Sequence, residues 1–507
     1  MINMKKTILP IIGIALIVSP AMARETVVNG KVGVGIDFWE RTYDNEDLEV
    51  SEGGQTDPDK GDKQQYGIWP EVTVTSQGIK DSYSFRYAPV FKYDDKTSEN
   101  EVDHYLDLYG EQFITRNWTV SLDNRYQQTD DPSLQSNNVA LDTTTVAGTG
   151  QTETSQTETS QTEQSSTSGN TESQGISPDE ELSRDQGRQR YWVNNLRLET
   201  NYAFGEESGV GGGYGFKVLR NDSDDSNYRE YDRHNVFANF DYRYSQAIRS
   251  SVLLNYVKGL YDDAIDPITE ESVSGDLDEY RATLRFDYLH GPVDFFPFVY
   301  NFVGVKYDNE IQRDSYAHEF TVGWKQDFDS RTHLTFGGGP TYVNGEGVKG
   351  EWDYNVYLDF IRDFAHSSFN LFMEKKYDTQ NFSGSNTDAG FKDTYNARAD
   401  YTHQFTQGFS GNIFARYRWE SNLDPQGDAF TTASGDSEVT GEESIGDISY
   451  DKNIYEVGAG LTYDFLRYYN ARLRYSYYVS DGELDRDQYN DHRILFTLSA
   501  STDLWRW

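Results

Sequence analysis

The side chains best suited to hold a charged solute are arginines, and they concentrate in the C-terminal half of the chain. Arg281 and Arg285, Arg398, Arg416 and Arg418, Arg472 and Arg474, and Arg493 all stand on the polar parity of segments that alternate polar and apolar residues. A guanidinium offers several N–H donors in a fixed planar fork, which suits a carboxylate, sulfate or phosphate group. Along one inner wall the eight would make a basic slope. Arg398, Arg416, Arg418 and Arg493 would lie toward the outer mouth, and Arg472 and Arg474 nearer the other end. The same arginines can instead pair with inward acids such as Asp400, Glu420 and Glu456 and stiffen the wall. Both readings stay open at this level.

Other chemistries find less support. The glycine runs Gly211-Gly212-Gly213 and Gly337-Gly338-Gly339 lack the Lys-Ser or Lys-Thr and the following helix of a phosphate loop. Glycine inside a strand more often marks a bend. The eight histidines are scattered, with none at metal-ligand spacing, and no Ser-His-Asp arrangement sits on a recognisable elbow. With no cysteine there is no disulfide, thiolate metal site or cysteine nucleophile. No catalytic residue, metal ligand or cofactor is therefore assigned. The 84 acidic against 45 basic residues give a formal charge of -39, which repels nucleic acid.

The elements that must position the arginines follow a period of two rather than 3.6. Val32, Val34, Ile36 and Phe38 alternate with Gly33, Gly35 and Asp37. Trp352, Tyr354, Val356, Leu358 and Phe360 alternate with Asp353, Asn355, Tyr357 and Asp359. No domain boundary interrupts the series. Tight turns at Gln77–Asp81, Gly205–Gly209, His290–Asp294 and Gln404–Gly408 alternate with long acidic loops at Asp44–Gln65, Thr129–Arg188, Gly259–Asp278 and Ser421–Lys452. Apolar residues make up only 36%, yet aromatics reach 15%, a balance that fits a wall with one lipid face and one lumen face. The expected fold is all-β: a single large antiparallel transmembrane β-barrel of about 20 strands (18–22) spanning residues 24–507. With an even strand number both termini lie in the periplasm and every long loop outside.

Residues 1–23 read as a signal peptide: two lysines before an apolar run from Ile8 to Val18, then Ala21-Met22-Ala23, with cleavage expected before Arg24. No stretch offers the ~20 apolar residues of a spanning helix. The loop at about 129–188 holds a Ser/Gln/Thr/Glu repeat over Gln151–Gln164, which has no apolar face and is expected to be a disordered spacer. Trp39, Tyr43, Trp69, Trp118, Trp192, Tyr202, Trp324, Trp419 and Trp507 read as interfacial girdles, and only Tyr105, Tyr109, Tyr357 and Tyr478 as inward rings. The terminal Asp503-Leu504-Trp505-Arg506-Trp507 resembles the final strand read by the barrel assembly machinery. The parity of its tryptophans opposes that of Ile494–Ala500, so a bulge or short tail is required.

The run from Tyr395 to Gly411, followed by Phe414-Ala415-Arg416-Tyr417-Arg418, resembles a repeated hairpin of the outer-membrane β-barrel porins associated with exopolysaccharide loci. Similar turns recur at Asp327–Thr332 and Asp363–Ser368. The resemblance implies a barrel in the bacterial outer membrane and suggests export or diffusion of polysaccharide or oligosaccharide, acidic or neutral. The partners expected are outer-membrane lipid and lipopolysaccharide, the assembly machinery and a polysaccharide cargo. The alternatives are a surface structural or adhesive barrel working through its long acidic loops, and a barrel hydrolase.

One expectation is testable directly. Deleting Gln151–Gln164 should leave assembly and heat-resistant migration on gels unchanged, because halving a flexible loop alters its closure by only about 0.6 kcal/mol. Loss of assembly would make the tract structural.

Overall fold

The computed structural model describes residues 24–43, 62–130, 190–222, 228–261, 264–265, 272–291, 294–308, 314–345, 348–379, 381–382, 391–422, 450–483 and 488–506. The signal segment, the repeat tract and Trp507 lie outside them. The first nine strands are β1 (Glu25–Tyr43), β2 (Lys63–Gln77), β3 (Asp81–Asp94), β4 (Glu99–Thr115), β5 (Trp118–Thr129), β6 (Tyr191–Gly205), β7 (Ser208–Asn221), β8 (Tyr231–Arg243) and β9 (Ile248–Tyr261). A two-residue hairpin, β10 (Ala264–Ile265) and β11 (Ser272–Val273), stands apart from the wall. The wall continues with β12 (Leu277–Leu289), β13 (Asp294–Tyr307), β14 (Ser315–Asp329), β15 (Thr332–Gly345), β16 (Val348–Asp363) and β17 (Ser367–Thr379). It ends with β18 (Phe391–Thr406), β19 (Phe409–Asn422), β20 (Tyr450–Phe465), β21 (Tyr469–Gly482) and β22 (Tyr489–Arg506).

Each wall strand pairs antiparallel with its neighbours in sequence, and β22 pairs with β1 from Arg506↔Val27 to Tyr489↔Tyr43. The sheet is therefore a closed barrel of 20 strands with no free lateral edge at its ends. Closure lets a strand wall cross hydrocarbon, since its backbone N–H and C=O groups bond across the ladders. Tight turns fall on one rim with the first and last strand ends, and the long connections fall on the other. The wall rises two or three residues further into those connections than the alternation suggests: Lys63, Tyr261, Leu277 and Lys452 are all strand residues.

Parity sorts the side chains as expected. Val32, Val34 and Phe38 are exposed on the outer face, while Asp37, Trp39 and Arg41 are buried on the inner one. The outer face continues around the barrel through residues such as Ile68, Leu254, Phe320, Val356, Ile413 and Phe496, all exposed. An apolar surface of this extent, wrapped around a charged interior, is a membrane-facing surface of the outer-membrane type.

Three local features set the wall's shape. The indole of Trp69 lies inward across Gly33, Gly35 and Gly67, where a Cβ on Gly33 would fall 1.9 Å from Nε1. Glycine is needed there for the ring to lie flat on the wall. Where β22 meets the start of β1, the register shifts between Val28 and Asn29, so that Val28 faces Trp505 while Asn29 faces Asp503. That bulge resolves the parity conflict in the terminal strand. Finally, β16 and β17 pair only from Val356↔Lys375 down to Asp363↔Ser368, so above this point the two strands part.

Asn355 stands on the inward parity, yet it leaves no room for an added arginine. It is buried, and its amide bonds Thr321 at 2.7 Å, Thr341 at 3.1 Å and the carbonyl of Phe320 at 3.3 Å. The suitable inward comparison is Asn412, which is exposed. Val356→Arg on the lipid face should cost about 2–4 kcal/mol near the midplane. Asn412→Arg should stay within about 0.5 kcal/mol, as at an open surface. Urea unfolding of the barrel in lipid measures both, and equal costs would reject this assignment of faces.

Candidate functional site

All eight predicted arginines point into the barrel, and the acids on neighbouring positions decide what they can do. Arg398 pairs with Asp400 two residues along its own strand. Arg418 pairs with Glu420, whose other oxygen takes the Lys392 ammonium at 2.7 Å. Arg416 reaches the fully buried Glu456 at 3.1 Å, and Arg474 approaches the same carboxylate at 3.9 Å. The guanidinium carbons of Arg416 and Arg474 stand 5.0 and 5.2 Å from the Phe414 ring, within cation–π range. The expected slope across the membrane is thus replaced by convergence. Strand tilt brings Arg474 on β21 to the level of Arg416 on β19. Arg472, two residues nearer the tight-turn rim, lies opposite Thr462.

The remaining three serve other parts of the wall. Arg493 makes a two-pronged bond to Asp37 at 2.6 and 2.9 Å, across the closure of β22 on β1. Beside it Arg41 makes another, at 2.7 and 2.8 Å to Asp491, with its guanidinium 3.8 Å from the Tyr489 ring. Arg285 shares Asp287 with Arg249, at 2.8 and 2.6 Å. Arg281 bonds Asp378 at 2.7 Å and the Thr379 hydroxyl at 2.5 Å, both on β17, five strands along the wall.

That last contact belongs to a feature the sequence reading missed. The upper end of β17 leans inward, and Asn381 and Phe382 just beyond it lock onto the opposite inner wall. The hydroxyls of Tyr261 and Tyr307 donate to the Asn381 carbonyl (2.5 Å) and Oδ1 (2.8 Å). The Asn381 amide donates to Glu279 at 2.8 Å, and Tyr231 donates to the Phe382 carbonyl at 3.0 Å. Around this anchor lies a buried cluster that includes Tyr191, Tyr231, Tyr261, Leu277, Tyr307 and Phe391. The segment narrows the outer part of the lumen on that side. Beneath it a small cavity is lined by the charged Arg281, Glu319, Lys376 and Asp378 together with Leu253 and Val303.

A second buried network fills the outer end of β2 to β5. Lys92 bonds Asp103 and, at 2.5 Å, Asp130, which also takes Lys63 at 3.2 Å. Glu101, Asp103 and Asp130 bring oxygens within 4.8 Å of one another, but the lysine ammoniums and Arg190 already stand among them. Such a set neutralises itself and needs no metal.

The aromatic assignment requires correction. Trp39, Tyr43 and Trp69 face inward and are buried, because Phe38 and Ile68 beside them occupy the outer parity. Trp118 and Tyr202 pair on the outer face near the tight-turn rim, and Trp192, Trp324 and Trp419 also keep the outer parity. Tyr105, Tyr109, Tyr357 and Tyr478 do point inward, but so do Tyr191, Tyr261 and Tyr489. Tyr105 and Tyr478 are packed too tightly to offer a face to a sugar.

Fold and lumen together define a membrane-spanning barrel whose interior is polar, charged and partly narrowed by its own chain. Among solved structures it is similar to OccAB4 of Acinetobacter baumannii (10% identity, 94% of this chain and 98% of that one, TM-score 0.40). It is also similar to the outer membrane protein OpdK of Pseudomonas aeruginosa (10% identity, 94% and 99%, TM-score 0.40) and to OpdO of the same organism (11% identity, 94% and 98%, TM-score 0.38). No protein-family model and no curated protein matches the sequence.

Glu456→Gln tests the convergence. It leaves two guanidiniums facing a neutral amide and should cost up to about 3 kcal/mol. That is the lower end for breaking a buried pair, since both arginines keep some access to water. An unchanged urea midpoint would show that Glu456 does not bind them.

Proposed function

We propose that the protein is a passive channel of the bacterial outer membrane for hydrated solutes, with acidic or neutral oligosaccharide as cargo. The observation that carries this reading is the state of the lumen arginines. Each of the seven with an ion pair described above is held on one edge by a carboxylate, yet remains between 14% (Arg418) and 28% (Arg398) exposed. A structural pair in a packed core would be sealed from water; these are fixed and wet. Oriented guanidiniums on a rigid wall supply donors to a passing anion without costly rearrangement. The small cavity near the inward Asn381–Phe382 segment supports the same reading, because Arg281, Glu319, Lys376 and Asp378 line it.

The test replaces Arg416, Arg418, Arg472 and Arg474 by Gln and records single-channel currents in planar bilayers with and without an acidic oligosaccharide. Conductance should persist while relative anion permeability falls and block by the oligosaccharide weakens. The wild-type effect should itself fade with salt, as the Debye length shrinks from ~10 Å at 0.1 M to ~3 Å at 1 M. A wild type that conducts no ions would overturn the channel and favour a surface barrel acting through its loops. Unchanged selectivity in the variant would make the arginines purely structural.

A further inference from the structure

Four of the eight histidines share one arrangement on the outside of the barrel. The hydroxyl of Tyr87 lies 3.0 Å from His104 Nδ1, that of Tyr214 2.7 Å from His234 Nδ1, that of Tyr300 2.8 Å from His318 Nδ1 and that of Tyr475 3.0 Å from His492 Nδ1. In every case the tyrosine is on a strand rising to the long-loop rim and the histidine on the next strand descending from it. The two are diagonal neighbours: the residue directly across from the histidine lies two positions beyond the tyrosine, namely Pro89, Phe216, Phe302 or Tyr477. Each tyrosine stands seven positions before the last residue of its strand.

The hairpins involved are β3–β4, β7–β8, β13–β14 and β21–β22, which recur every fourth strand around the wall except at one place. There, on β17–β18, the outward position opposite Tyr395 holds Lys375, which is buried against Asp353 and Asp393 and so engaged within the wall. The four imidazoles are half-buried to exposed and lie in the half of each hairpin nearer the long-loop rim. The next outward positions toward the rim are Asp232 on β8 and Asn490 on β22, and Val102 on β4 and Tyr316 on β14. Three tyrosines of the set, Tyr87, Tyr214 and Tyr475, are themselves exposed by 37–40% on the lipid face.

We propose that these four Tyr–His pairs are anchoring sites for the phosphate groups of the outer-leaflet glycolipid. The inference rests on the outer-membrane orientation given above, with the long connections outside. With the tyrosine hydroxyl as donor to Nδ1, the imidazole carries its proton on Nε2, the nitrogen left to meet an acceptor outside the pair. At the depth where hydrocarbon gives way to headgroups, the acceptor that meets it is a lipid phosphate oxygen, and hydrogen bonds to an ionised oxygen are the stronger kind. The same diagonal sets Tyr256 against Asp278 and Tyr417 against Asn453 on the outer face, so what distinguishes the four pairs is the imidazole, which keeps a second nitrogen for a group outside the pair. Spacing by four strands distributes the contacts around the circumference, so the barrel is held level rather than tethered at one side.

The experiment compares retention of two lipids by the full barrel in nanodiscs: diphosphoryl lipid A and the same lipid without its phosphates. Lipid surviving a detergent wash is counted by native mass spectrometry. The wild type should keep the phosphorylated form preferentially, and H104F/H234F/H318F/H492F should lose that preference roughly tenfold or more while keeping heat-resistant migration and conductance. Replacing the four tyrosines by Phe should reduce it less, since the histidines remain but lose their orientation. Equal retention of both lipids by the wild type would overturn the proposal without any variant, and so would full preference in the histidine variant. A barrel that retains lipid but does not conduct would reject the channel alone.

Discussion

Everything in this molecule depends on the closure of the last strand on the first. Until β22 bonds to β1, two strand edges carry unpaired N–H and C=O groups that hydrocarbon cannot satisfy, and the other ladders have no stable surface to define. The closure is reinforced where it is made. Arg41–Asp491 and Arg493–Asp37 cross it in opposite directions, and the bulge at Val28/Asn29 turns Trp505 outward at its lower end. A bidentate pair between groups some 450 residues apart has a single geometry in which both forks fit, so it specifies register as well as adding attraction.

The same logic extends inward. A wall that alternates faces must place half its side chains in the lumen, and this chain fills that half with both signs of charge. Buried alone, each would be expensive; interleaved as Arg–Asp and Lys–Glu neighbours two residues or one strand apart, they neutralise one another and brace the strands. The net charge of -39 is therefore not spread evenly over the fold. Much of the positive charge is committed to the lumen wall.

The period of two and the alternation of turn lengths made the barrel, its strand number and the lumen parity of the arginines legible in the sequence. Parity also contained the answer for Trp39 and Trp69, since Phe38 and Ile68 already hold the lipid face. Reading tryptophan by residue type instead of by parity placed both at the interface. What could not be read was anything that depends on strand tilt or on contacts across the lumen. Arg474 meets Glu456 because tilt shifts their levels, and Asn381 meets Glu279 and Tyr307 because β17 leans inward. The Tyr–His pairs were hidden for a related reason: the histidines have no mutual spacing in sequence, and the diagonal that unites each with its tyrosine exists only once neighbouring strands are in register.

The parting of β16 from β17 above Val356 and Lys375 has a mechanical meaning. A closed cylinder under lateral stress fails where its hoop is thinnest, and here the upper hoop lacks a ladder between two neighbouring strands. Side chains bridge the gap instead: the Lys375 ammonium bonds Asp353 on one side and Asp393 on the other, with the rings of Tyr354 and Tyr395 around it. The wall is thus riveted rather than welded at this point. Any slow breathing of the barrel should begin as a slit at its upper rim, beside the strand that carries the inward segment, so that widening of the slit and displacement of that segment would be one motion.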